Sequence, residues 1–152
     1  MDNLQNLVDG LINFDDKKAY QCLKHLERES CQSNAVYPFF DVFAGMLNSE
    51  NSYIRTRGIV LIAANAQWDT DYKIDEIIDK YLIHITDDKP ITARQCIKAL
   101  PLIAKYKPVL RQDIVNALHR ANVSRYKESM QSLVSKDIQK CLSEIQKLRL
   151  DY

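Results

Sequence analysis

The sequence predicts an all-α protein, an α–α superhelix of about four stacked antiparallel helix pairs. One reason is a repeated pattern, because residues 53–62 recur 38 positions later as residues 91–100, and a period near 40 residues is typical of stacked helix pairs. A second is the scarcity of turn residues: three Gly and four Pro suit helices joined by short turns and argue against a many-stranded β fold. A third is that apolar residues recur at helical spacing between the turns.

The repeated pattern sets one small residue among aliphatic ones. The small residue is Gly58 in the first copy and Cys96 in the second. Fainter copies place Cys22 there, 36 positions before Gly58, and Val134, 38 positions after Cys96. A small residue lets one helix touch the next, and a free Cys behaves there as a small hydrophobe. The aliphatic matches are Ile59 with Ile97, Ile62 with Leu100, and Ala66 with Ala104.

Four helices are predicted in the first half of the chain. They cover residues 2–13, the stretch from a break at 13–15 to about residue 30, residues 35–47, and residues 52–68. We expect Asp2 or Asn3 to cap the first helix and Ser33 or Asn34 to cap the third. Pro38 is tolerated because it lies in the first turn of the third helix.

The first two helices are each predicted to bury one apolar face, and the third is apolar on more than one face. The aromatic run of the third helix resembles a partner groove in composition, but a helix sandwiched between neighbours needs the same residues, so we assign it to the core. The predicted faces are Leu4, Leu7, Val8, Leu11 and Ile12 in the first helix, Ala19, Cys22, Leu23 and Leu26 in the second, and Tyr37, Phe39, Phe40, Val42, Phe43, Met46 and Leu47 in the third.

The second half is predicted to hold four more helices. One is capped by Asp69 or Asp71 and ends near residue 85, and the second copy of the pattern follows from Pro90 to Tyr106. Pro90 falls at the first helical position, where its missing N–H costs nothing, whereas Pro101 lies inside the helix and is expected to kink it. The last two helices cover residues 109–121 and residues 131–148.

Length and composition predict one domain over residues 1–152 in a cytoplasmic protein. No basic region leads into an apolar run at the N-terminus, so no secretory signal is expected. The longest uncharged apolar-rich stretch, residues 58–68, has 11 residues, whereas a bilayer span needs about 20. The four cysteines, Cys22, Cys31, Cys96 and Cys141, include no CxxC pair. We therefore expect no disulfide, no metal and no cofactor.

The net charge of +1 conceals an uneven distribution. Residues 1–88 carry 8 basic and 15 acidic side chains, a net of −7, and residues 89–152 carry 13 basic and 5 acidic ones, a net of +8. Such asymmetry can steer a charged partner to one end or allow head-to-tail self-association. The alternative is that solvated faces simply differ in sign.

The first copy of the pattern resembles the second helix of a HEAT repeat. That family's pattern is an apolar residue, Arg, two variable residues, a small residue and, four positions later, an aliphatic one, and Ile54, Arg55, Gly58 and Ile62 fill it. The second copy departs from it with Ala93 at the Arg position. The chain is also similar to small uncharacterised HEAT-like proteins of Gram-positive bacteria. The resemblance implies a single HEAT-like repeat domain of the ARM/HEAT-like class, a curved right-handed stack whose second helices line a concave side where partners bind.

The faces of the later second helices are basic. Six cations recur at helical spacing on two of them, and the shift of 38 sets Lys136 beside Lys98 in the neighbouring pair. This basic ridge predicts an acidic protein partner, and it would also suit the phosphates of a nucleic acid. A solvated face dotted with Lys is the competing interpretation. The six are Arg94, Lys98, Lys105, Lys136, Lys140 and Lys147.

An enzymatic alternative rests on residues 67–72. The HEAT-like DNA alkylation repair glycosylases show an Asn-Trp-Asp-x-x-Asp motif, and Trp68 and Asp69 match it, but Gln67 replaces the Asn and Tyr72 stands where the catalytic Asp belongs. The competing interpretation is that Trp68 plugs the end of its helix and Asp69 caps the next. No Gly-rich phosphate loop, GxSxG or HExxH motif occurs. The sequence therefore predicts a noncatalytic adaptor or scaffold that binds a protein on its concave face.

Overall fold

A computed structural model describes residues 3–150 of the chain, and the side chains of residues 3–148. Within that range the chain forms eight α-helices and no β-strand, which confirms the all-α prediction. None of the described helices is long and apolar enough to cross a membrane. The helices are α1 (Leu4–Asp9), α2 (Asp16–Gln32), α3 (Phe40–Met46), α4 (Ser52–Ala64), α5 (Lys73–Leu82), α6 (Pro90–Tyr106), α7 (Arg111–Arg120) and α8 (Glu128–Leu150).

The chain divides into two compact units, residues 1–74 and residues 75–152. The first unit carries 7 basic and 10 acidic side chains, a net of −3, and the second carries 14 basic and 10 acidic ones, a net of +4. The charge difference between the units is smaller than the difference between residues 1–88 and residues 89–152, because the acidic stretch 75–88 belongs to the basic unit. A single repeat domain over residues 1–152, and its superhelical stacking, stay predictions.

The small residues of the repeated pattern lie where the second helix of a pair meets the segment before it. A Cβ added to Gly58 on α4 would lie 2.8 Å from a backbone carbonyl oxygen of α3. On α6, the Cys96 thiol lies 3.8 Å from the carbonyl oxygen of Tyr81. On α2, the sulfur of Cys22 would lie 2.5 Å from a Cβ added to Gly10. The expectation of a small buried residue at a close helix contact is confirmed at Gly58 and Cys96, whereas Cys22 is half-buried and lies against the turn at Gly10.

The first helix ends earlier than predicted. Asn3 caps α1 by accepting the N–H of Asn6 at 2.8 Å, and the alternative cap, Asp2, lies outside the described residues. A 3₁₀ turn follows over Gly10–Ile12. The placement of Ile12 on the buried face was wrong, since Ile12 is 62% exposed while Leu11 is fully buried. The tighter turn, with about three residues per turn, rotates Ile12 away from the face that α1 defines.

The third helix is shorter than residues 35–47. A 3₁₀ turn over Tyr37–Phe39 precedes α3, and Pro38 within it has no N–H to extend an α-helix backwards. The aromatic run does build the core, because Phe40, Phe43 and Met46 are buried. The assignment of Val42 to the core was wrong, since Val42 is 48% exposed.

The second unit is organised around α6, whose bounds agree with the prediction. Pro90 stands in its first turn, and the helix continues without interruption past Pro101 to Tyr106. Its buried residues form one broad face, which packs against α8 and against the 3₁₀ turn over Ile83–Thr86. Its fully buried apolar side chains are Ala93, Cys96, Ile97, Leu100, Ile103 and Ala104.

Replacing Gly58 by Ala should destabilise the protein. The new Cβ would lie 2.8 Å from the carbonyl oxygen of Phe43 and 2.9 Å from the Cβ of Met46, and overpacking of this kind costs about 1–3 kcal/mol. Gly45 in α3 is the matched control, because a Cβ there meets nothing within 4 Å. Gly45→Ala should raise the free energy of unfolding by up to about 1 kcal/mol. Urea unfolding measures both variants, and an increase in stability for Gly58→Ala would contradict the close approach.

Candidate functional site

The helices α6 and α8 lie side by side and run in the same direction. Near the start of α6, the Nε of Arg94 donates to Asp137 Oδ2 at 2.6 Å. Further along both helices, Lys98 of α6 and Lys140 of α8 line the same groove. The contacts advance in the same order on both helices, which is the arrangement that equivalent second helices of successive pairs are expected to have.

The groove between α6 and α8 has a volume of about 270 Å³. Its apolar part comes from Ile97, Pro101 and Cys141. Its charged part carries both signs, so a partner that binds here meets carboxylates as well as ammonium groups. The charged residues are Lys98, Asp137, Lys140 and Glu144.

Arg94 has a structural role in the second unit. Its bond to Asp137 raises the pKa of the guanidinium, which burial alone would lower. The pair is partly buried, with 27% of the Arg94 side chain and 11% of the Asp137 side chain exposed. Arg94 therefore joins α6 to α8, and its charge is largely neutralised by Asp137.

The other five cations of the predicted ridge are exposed lysines. Lys140 has a long ion pair with Glu144, at 4.0 Å, and the ammonium of Lys105 lies 5.2 Å above the ring of Tyr106. Among the residues that the structure describes, no carboxylate lies within ion-pair distance of the other four ammonium groups. The five lysines are thus available to a partner: Lys98, Lys105, Lys136, Lys140 and Lys147.

The register of these lysines differs from the one that the repeat implies. The shift of 38 set Lys136 beside Lys98, but the residue that shares the groove with Lys98 is Lys140, one helical turn further along α8. Matching positions in a repeat define which face of a helix is equivalent, and they do not define how far neighbouring helices slide along their axes.

Trp68 and Asp69 have structural roles in the first unit. The indole N–H of Trp68 donates to the carbonyl oxygen of Ser30 at 2.7 Å. The buried carboxylate of Asp69 accepts the N–H groups of Lys73 and Ile74, each at 2.9 Å, at the start of α5. It also accepts the hydroxyl of Tyr37 at 2.7 Å. The predicted capping role of Asp69 is confirmed.

A buried polar cluster in the second unit was not foreseen. The Nδ1 of His84 lies 2.7 Å from Asp87 Oδ2, and the hydroxyl of Tyr126 donates to the carbonyl oxygen of Asp87 at 2.5 Å. Burial raises the pKa of Tyr126 to about 12, against the opposing effect of the Arg125 charge. The cluster fastens the segment before α8 to the turn before α6. The spacing His84-x-x-Asp87 was its one signal in the sequence.

The thiols differ in their environment. Cys96 and Cys141 are buried, and burial raises the pKa of Cys96 and takes that of Cys141 to about 12. Cys31 is exposed, and all four cysteines are free thiols. Among the described residues, no three His, Cys, Asp or Glu side chains are grouped in a way that could hold a metal ion.

Comparison of the chain with protein-family models, with curated proteins and with solved structures gives no match. The resemblance to HEAT repeats therefore rests on the residues alone.

Replacing Asp69 by Ala should destabilise the first unit. Two N–H groups at the start of α5 would lose their acceptor, and loss of a helix cap costs about 0.5–2 kcal/mol. Asp71→Ala is the control, because Asp71 is exposed and, within the described part of the chain, accepts a single 3.2 Å bond from Tyr37. A change of about 0.5 kcal/mol or less is expected. Urea unfolding of both variants makes the comparison. Equal effects would contradict the capping role.

Cys31 should be the first thiol to react with an aromatic disulfide reagent at about pH 8, and Cys31→Ser should remove this fastest phase. Cys96 and Cys141 should react only as the protein unfolds, because attack requires the thiolate and burial keeps both thiols protonated. The absorbance of the released thiolate gives the rates with and without denaturant. Rapid labelling of Cys141 in the native protein would show that this part of α8 is not packed as described.

Proposed function

We propose that this protein is a noncatalytic adaptor or scaffold that binds a protein partner through the face formed by α6 and α8. The observation that carries the proposal is a groove with an apolar floor that is lined by Lys98 and Lys140, with three further exposed lysines on the same two helices, Lys105, Lys136 and Lys147. In a HEAT-like stack, these two helices would lie on the concave side. A partner with acidic side chains and one apolar anchor fits such a surface.

The mixed charge of the groove favours a protein over a nucleic acid. Glu144 lies beside Lys140 in the groove, and a phosphate backbone laid along the groove would meet its carboxylate, whereas Asp137 is already paired with Arg94. Binding of nucleic acid without sequence preference is driven by a patch of one sign. A protein partner can set acidic side chains against the lysines and a donor against the carboxylate of Glu144.

The most direct test reverses the two lysines of the groove. Lys98→Glu with Lys140→Glu should reduce capture of the partner from native lysate about tenfold or more, since like charges across an interface are strongly unfavourable. Lys127→Glu is the matched control, because Lys127 is an exposed lysine in the same unit, outside the groove. Quantitative mass spectrometry compares the captured proteins. An identical set from wild type, double variant and control would refute the proposal.

The alternative of nucleic-acid binding is separated by a second measurement. Retention on heparin with a steep dependence on salt, lost in the double variant, would favour phosphate binding. We expect elution at low salt, with no difference between the double variant and the Lys127→Glu control.

A further inference from the structure

A larger cleft lies in the second unit, between the end of α5 and the end of α7. Its volume is about 630 Å³, and it is open to solvent. A 3₁₀ turn over Ile83–Thr86 forms one side. Ile83 is 67% exposed, although it stands beside buried Leu82. The apolar lining consists of Leu82, Ile83, Ile85, Ala117 and Ala121.

Two of the three charged residues on the rim of this cleft are basic. Arg120 and Arg125 line it, and Asp79 is the one carboxylate among the lining residues. Arg125 is held in place by the carbonyl oxygen of Thr86 at 2.5 Å and by Asp88 at 3.3 Å. Arg120 has no ion-pair partner among the residues that the structure describes. The cleft thus offers an apolar floor and two guanidinium groups.

The first unit carries an apolar side chain that nothing in that unit covers. Phe14, between α1 and α2, is fully exposed, and Ile12 beside it is 62% exposed. The connection is nevertheless fixed. The buried guanidinium of Arg57 donates to the carbonyl oxygen of Leu11 at 2.8 Å and reaches Asp16 at 3.3 Å. Phe14 is therefore presented on a structured loop, which lowers the entropic cost of docking it.

We propose that Phe14 of one copy inserts into the cleft between α5 and α7 of a second copy of this chain. Two carboxylates follow Phe14. Asp15 caps α2 and Asp16 is paired with Arg57, and both remain exposed to solvent. They would face the two guanidinium groups of the cleft. Two lysines come next, Lys17 and Lys18, and they are suited to the single carboxylate on the rim. The occupant thus matches the cleft in both apolar character and charge.

The contact joins two different surfaces, so it is heterologous. Each added copy leaves one Phe14 loop and one cleft free at the ends, and such contacts build open chains unless the rotation between copies closes a ring. One side chain in one cleft buries little area, which places this association among weak and transient interfaces. The expected behaviour is a molecular mass that rises with protein concentration.

The test uses two variants that each damage one surface. Phe14→Ser and Ile83→Ser should each abolish self-association in sedimentation velocity. The average molecular mass of the wild-type protein should rise as its concentration approaches about 1 mM. A mixture of the two variants should form a complex of one copy of each and nothing larger, because each retains the surface that the other lacks. Val109→Ser removes another exposed apolar side chain, 85% exposed, and should associate like wild type.

Two results would overturn the proposal. One is a wild-type protein that stays monomeric across this concentration range, which would mean that the cleft does not bind a second copy. The other is a mixture that stays as two monomers although each single variant has lost self-association. Raising the salt concentration from about 0.05 to 0.5 M should weaken the wild-type association, because the Debye length falls severalfold. All three substituted side chains are exposed, so the variants are expected to fold, and circular dichroism is the control for folding.

Discussion

The contact on which each unit depends is the close approach of two helices at a small residue. Because residue 58 is Gly, α4 approaches α3 so closely that a Cβ at this position would lie 2.8 Å from a backbone oxygen of α3. Cys96 brings α6 to the backbone at Tyr81 in the same way. A larger side chain at either position would push the helices apart and open the apolar faces around them to water. Since cores are packed nearly as densely as crystals, little of that separation could be absorbed elsewhere.

A second device aligns the pairs within a unit. Arg57 of α4 reaches Asp16 of α2 in the first unit, and Arg94 of α6 binds Asp137 of α8 in the second. Each bridge joins two helices that the sequence predicted to be the second helices of their pairs. A partly buried ion pair of this kind contributes little net stability, but removal of one partner would leave the other charge without its counter-ion. Its effect is therefore on register, and the register of α6 and α8 decides which lysines share the groove.

The sequence predicted what depends on local chemistry and missed what depends on the packing of separate helices. The bounds of α6 followed from the repeated pattern and from Pro90, and the sequence offered Asp69 as a helix cap with Asp71 as the alternative. Ile12 was misplaced because a 3₁₀ turn changes the angle between successive side chains. The bond between Arg94 and Asp137 was missed because it depends on the axial offset of two helices 43 residues apart, which no repeat period fixes.

The two proposed surfaces of the second unit can work together because they share no lining residue. The lysine groove belongs to α6 and α8, whereas the cleft belongs to α5, α7 and the turns that follow them. A chain of copies joined through the cleft would therefore present one free lysine groove per copy. A partner with several acidic segments would then bind several grooves at once, and the effective concentration after the first contact would raise its avidity well above the affinity of one groove. Weak self-association would in this way allow the partner to bind firmly even if the affinity of each single groove is low.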